Sequence, residues 1–176
     1  MTLDILIFTN GRTTTLPAIE YGAWLGASLR TPVRLIGIDE DPSPAQIDED
    51  VHPLEAVFAE AVKMFKQAGV EYQLEIQQGH AEDVIPVRVK GRDALAVVGP
   101  LGRPPLKHLL SGRSFRHIME QVSAPVLYIP QVKLPLKKML VCLGGLGYEV
   151  TAETLAMKIA AMSRAEVVLM TVVPPV

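Results

Sequence analysis

Residues 94–130 read ALAVVGPLGRPPLKHLLSGRSFRHIMEQVSAPVLYIP, and this stretch decides the fold. A wholly apolar run, Ala94–Val98, leads straight into Gly99. Gly102 and Gly112 follow, giving the spacing G-x2-G-x9-G. Phe115, Ile118, Met119 and Val122 then recur at helical spacing. A second apolar run, 125–129, stops at Pro130. A strand, a glycine loop, a helix and a strand in that order describe one βαβ unit. Continuous apolar strands mark a parallel sheet buried on both faces.

The same alternation extends backwards. Residues 4–9, DILIFT, form an apolar β-branched run ending at Asn10-Gly11, and 33–38 and 72–77 supply two more strands. Pro17 opens a helix to about Leu29, whose inner stripe is Ala18, Gly22, Leu25, Gly26 and Leu29. Residues 53–68 carry Leu54, Val57, Phe58, Ala61, Val62, Phe65 and Ala68 on one face, with Gly69 placed to end the helix. A short helix over 82–90 contains Pro86. The acidic stretch Asp39–His52 reads as a loop. The expected fold is α/β: an open parallel five-stranded sheet with helices on both faces, Rossmann-like. Loops after Thr9, Ile38 and Val98 should meet at one sheet edge, where ligands bind in such folds.

The chain also begins again. Positions 5–38 align with 139–172 at an offset of 134 without a gap, with identities at Leu6/Leu140, Gly11/Gly145, Ala18/Ala152, Ala27/Ala161, Arg30/Arg164, Val33/Val167 and Leu35/Leu169. Strand, glycine turn, helix and strand share that register. The expected organisation is a domain at 1–131, a linker at 132–137, and the first βαβ unit of an incomplete second copy at 138–176. Such a half copy has little core of its own. It is either a piece of a tandem protein or packs on another domain or chain.

Charge divides unevenly. Residues 1–87 hold 14 acids and 5 Lys/Arg; residues 88–176 hold 5 acids and 12 Lys/Arg. Arg88, Lys90, Arg92, Arg103, Lys107, Arg113 and Arg116 face a single acid, Asp93, before Glu120. That cluster either favours an anionic ligand or is a solvated basic face. The chain as a whole is slightly acidic and poor in aromatic residues, which argues against nucleic acid. No apolar run spans a bilayer and no signal-peptide pattern opens the chain, so a cytoplasmic protein without membrane contact is expected. One cysteine, Cys142, excludes an internal disulfide. The histidines lack metal-ligand spacing, so no metal site is expected.

At the loop, Gly99 and Gly102 allow tight turns and close approach of an anion to backbone N–H groups. Gly112 precedes a helix whose N-terminus favours phosphate, and Arg103, Lys107 and Arg113 could add charge-assisted contacts. The glycines could equally serve turn geometry alone. The spacing is neither a Walker A loop nor the GxGxxG dinucleotide fingerprint.

The segment VVGPLGRPPLKHLLSGRSFRHIMEQVSAPVLYIP resembles the C-terminal signature of universal stress proteins, and ILIFTNGRTTTLPAIEYGAWLGASL resembles their first strand and helix. The resemblance covers 4–130, with the start of a second such domain at 138–173. It implies the fold of the adenine nucleotide alpha hydrolase-like group and a stress-response or signalling role. It also implies homodimer or domain pairing through the strand at 125–129. It implies ATP as ligand, possibly with Mg²⁺, with the adenine near Phe8, Thr9, Asn10 and Ile38. The phosphates would sit on Gly99, Gly102, Arg103, Gly112, Arg113 and Ser114. Three positions depart from the pattern. Asn10 stands where nucleotide-binding members carry an acid, Arg113 stands where they carry a hydroxyl, and Pro100 removes a backbone donor. A non-nucleotide interaction module is therefore the competing expectation. No catalytic residue is identifiable, so any ATP hydrolysis should be slow.

Overall fold

A computed structural model describes residues 3–40, 52–101, 115–143 and 150–171, with side chains of 115–117, 143 and 150–152 left aside. The chain divides into two compact units, 1–132 and 133–176.

The first unit contains β1 (Asp4–Thr9), a 3-10 turn (Thr13–Thr15), α1 (Leu16–Leu29), β2 (Val33–Asp39) and α2 (Pro53–Ala68). It continues with β3 (Tyr72–Gln78), α3 (Ala81–Val89), β4 (Ala94–Val98), α4 (Phe115–Gln121) and β5 (Val126–Tyr128). Five strands pair in the order β3-β2-β1-β4-β5, all parallel. The five-stranded parallel sheet expected from the sequence is thus present. The α2 helix has the span its periodicity predicts, and Gly69 caps it in the left-handed conformation at φ 66°. The β5 strand is shorter than the apolar run that encodes it, although Pro125 O and Ile129 N still bond to Ala96 N and Val98 O at its two ends.

Alternation along the strands splits the core in two. Leu6, Phe8, Ile36, Ile38, Ala96 and Val98 pack with Ala81, Val84, Ile85 and Val89 of α3 and with Ile118 of α4. On the other face, α1 lies close enough that a Cβ on Gly22 would stand 2.4 Å from Ile7 Cδ1. The small residues in the α1 stripe are therefore what lets the helix approach the sheet. Ile5, Ile7, Phe8, Leu35 and Ile36 are almost wholly buried, each worth about 1.5–3 kcal/mol relative to an exposed side chain. Pro86 sits inside α3. It costs that short helix one hydrogen bond, and the sheet-facing Val84, Ile85 and Val89 hold it in place.

The second unit contains β6 (Lys138–Leu143), α5 (Val150–Ser163) and β7 (Glu166–Thr171), the two strands parallel. Its geometry repeats that of β1–α1–β2. Ile5 pairs with Val33 and Met139 with Val167; both members shift by 134. Arg30 and Arg164, also 134 apart, both end their helices at φ 52°. Their amides donate to Ala27 O and Ala161 O, again the same offset.

Candidate functional site

All five strands of the first sheet run the same way, so Thr9, Asp39, Gln78, Val98 and Tyr128 end at one edge. Chain order reverses between β1 and β4: β2 and β3 build outward from one side of β1, β4 and β5 from the other. A crevice opens at such a switch point, and ligands of open α/β sheets bind there. Asn10 follows β1 and Gly99 follows β4, so the two loops singled out in the sequence flank the switch point.

Two hydrogen bonds staple those loops together. Asn10 Nδ2 donates to Leu101 O at 2.5 Å, and Thr14 Oγ1 donates to Pro100 O at 2.7 Å. Gly99 passes so near the start of α1 that a Cβ would lie 3.0 Å from Thr15 Cα and 3.3 Å from Ala18 Cβ. Any side chain there would push the loop outward. The oxygen of the same amide, Oδ1, is buried and has no partner among the described residues. Leaving a buried acceptor unpaired costs about 1–3 kcal/mol.

Beneath the crevice runs a hydroxyl chain. Thr15 Oγ1 donates to Arg12 O at 2.7 Å, which uses its one proton. Thr9 Oγ1 must therefore be the donor in its 2.6 Å bond to Thr15 Oγ1. Gly11 N in turn donates to Thr9 Oγ1 at 3.2 Å. The chain thus has one direction, from Gly11 to Arg12. Both threonines are fully buried. Further round the edge, His52 Nδ1 accepts from Leu54 N at 3.3 Å and caps α2. Ala81 N donates to Glu40 Oε1 at 3.3 Å, joining the start of α3 to the end of β2.

Of the residues expected to form the site, Phe8, Thr9, Asn10, Ile38 and Gly99 come together at this edge. The side chains of Phe8 and Ile38 face the core, at 0% and 1% exposure, so a ligand could meet them through the main chain alone. Gly102, Arg103, Gly112, Arg113 and Ser114 lie outside the described residues, as does Lys107. Thr14, Thr15, His52 and Leu101 went unread in the sequence. The run Thr13–Thr15 behind Asn10-Gly11 was the available signal, since hydroxyl residues bond to nearby backbone.

The first three members of the basic cluster stand away from Gly99. Arg88 and Lys90 stand at the C-terminal end of α3, and Arg92 stands just before β4 begins. All three belong to the edge opposite Gly99. Arg88 pairs with Glu75, and Arg92 Nη1 lies 3.8 Å from Asp4 Oδ2. The linear count of charges groups these three with the glycine loop, but β4 carries the chain from their edge of the sheet to Gly99. Among the described residues no group of His, Cys, Asp or Glu is arranged to hold a metal, and no helix is long and apolar enough to cross a membrane.

No protein-family model matches the chain, and no curated protein does. Solved structures do match. One is a universal stress protein in complex with cAMP, 19% identical, covering 72% of this chain and 95% of that one at a TM-score of 0.55. Another is a universal stress protein from Archaeoglobus fulgidus, 20% identical, covering 73% and 99% at a TM-score of 0.53. The chain has the universal stress protein fold.

Proposed function

We propose that this protein is a stress-response module that binds an adenine nucleotide, ATP or a related species, in the crevice between β1 and β4. The observation that carries the reading is the strand order, which sets the Asn10 turn and the Gly99 loop on either side of the switch point. That a protein of the same fold is solved with cAMP supports the same ligand class. Base and ribose would meet Asn10 and the main chain at Thr9 and Ile38, since the hydroxyl of Thr9 is already committed. Phosphates would meet the backbone of Gly99, Gly102 and Gly112, with Arg103, Arg113 and Ser114 beside them. Mg²⁺ would be held by the phosphates, because the described residues offer it no acidic cluster. Among the described residues no general base is identified beside Asn10 and Gly99, so any turnover of ATP would be slow.

Calorimetric titration with ATP, with and without Mg²⁺, and with AMP and cAMP tests this. Saturable heat with a single site is expected. Absence of heat at millimolar nucleotide from folded protein would overturn it.

A second reading is an interaction module without nucleotide. One observation favours it: the Asn10 amide and the Thr14 hydroxyl, two polar groups at the crevice, already serve the protein itself. On either reading the three-residue edge strand β5, with Tyr128 46% exposed, is the proposed surface for pairing with a second copy. The β6–α5–β7 unit would be the opening of an incomplete second domain of the same kind, and the setting cytoplasmic.

A further inference from the structure

The two staples give Asn10 a role that its residue type explains. Leu101 packs against the apolar core beneath α3 and α4, so its side chain anchors the loop from below. Asn10 Nδ2 holds its carbonyl from the side, across 91 residues of sequence. Thr14 Oγ1 holds the carbonyl of Pro100 next to it, across 86 residues. The ring of Pro100 fixes one backbone angle between the two bonds. Gly99, held against Thr15 and Ala18, fixes the start. Residues 99–101 are therefore tied down at every step before Gly102.

We infer that Asn10 is a positioning residue: its amide N–H clamps the first turn of the glycine loop onto the β1–α1 loop, which an acid at this position cannot do. A carboxylate has acceptors only. Set against Leu101 O it would place two oxygens face to face, and the loop would have to move away. The staple thus fixes the backbone of residues 99–101, and so where a phosphate would meet Gly99. That last step rests on the nucleotide reading; the staple itself does not.

Hydrogen exchange on the whole chain tests the staple without ligand. In Asn10→Asp, exchange of the peptide covering 94–101 should quicken about tenfold, while the β2 peptide 33–39 keeps its wild-type rate. Asn10→Asp preserves the shape of the side chain, so a residue that merely fills space would leave both peptides unchanged. That result overturns the inference, as does equal acceleration of both peptides. Thr14→Val, at an exposed position, should quicken the same peptide about threefold and keeps the test decisive if Asn10→Asp does not fold; an unchanged rate there also counts against the staple. AMP titration follows as a separate arm. If wild type binds AMP, Asn10→Asp should change its affinity at least tenfold, and equal affinity would show that the staple does not set the site. If wild type binds no nucleotide, the proposed function fails while the exchange result still decides the staple.

Discussion

The units β1–α1–β2 and β6–α5–β7 share strand register, helix length and even the left-handed arginine that ends each helix, yet their strands live in different surroundings. Leu6 is 1% exposed; its counterpart Leu140 is 57% exposed. Phe8 is fully buried, whereas Cys142 is exposed. Register pairing places Leu140 with Val168 and Cys142 with Met170 on one face of the small sheet. In the first unit that face lies under α3 and α4. Local geometry is therefore written within about 35 residues. Burial is not: it comes from β4, α3 and α4, more than 40 residues downstream of β2 in the case of α3's end and beyond.

The largest effect that would test this contrast comes from matched truncations. Leu6→Ala should cost about 2–5 kcal/mol by denaturant unfolding, as buried leucines do. Leu140→Ala should stay within about 0.5 kcal/mol. Similar costs at both positions would break the comparison.

A smaller effect concerns the helix–sheet seam. Where the first unit sets Gly22 against Ile7, the second has Ala156 and Val141 at the matching positions. The methyl group has moved from strand to helix. Gly22→Ala should therefore cost about 1–3 kcal/mol through overpacking on Ile7. Adding Ile7→Val should recover part of that loss, with a coupling of about 0.5–3 kcal/mol in a double-mutant cycle. Strict additivity would show that the two units solve the seam differently.

The smallest effect is one that both units should share. Arg30→Gly and Arg164→Gly each place glycine where φ is 52°. Each should gain about 1 kcal/mol or less, read as a small rise in melting temperature. A gain at one site and a loss at the other would mean that one arginine has work beyond the cap.

How much of this was legible follows the same division. The helix at 53–68 could be read because its stripe is strictly periodic. Four of the five strands could be read because each is a bounded apolar run, the edge strand β3 because Tyr72, Leu74 and Ile76 alternate with polar residues, and the offset of 134 because register survives at seven identical positions. The staples could not be read. Their partners lie 91 and 86 residues apart, and no local pattern announces that Asn10 will meet a carbonyl beyond β4. The placement of Arg88, Lys90 and Arg92 could not be read for a related reason. Arg88 and Arg103 are near in sequence, but β4 separates them, and a strand carries the chain from one edge of the sheet to the other.

The one-way hydroxyl chain under the crevice carries a consequence for how such a sequence can drift. Thr9 gives its proton to Thr15 and takes one from Gly11, so neither threonine can be exchanged for valine alone without stranding its neighbour in a dry interior. Serine at either place keeps the relay intact, and alanine at either place cuts it. A lineage wandering away from this sequence would thus find positions 9 and 15 travelling as a pair, confined to hydroxyl side chains, while the exposed residues around them vary freely.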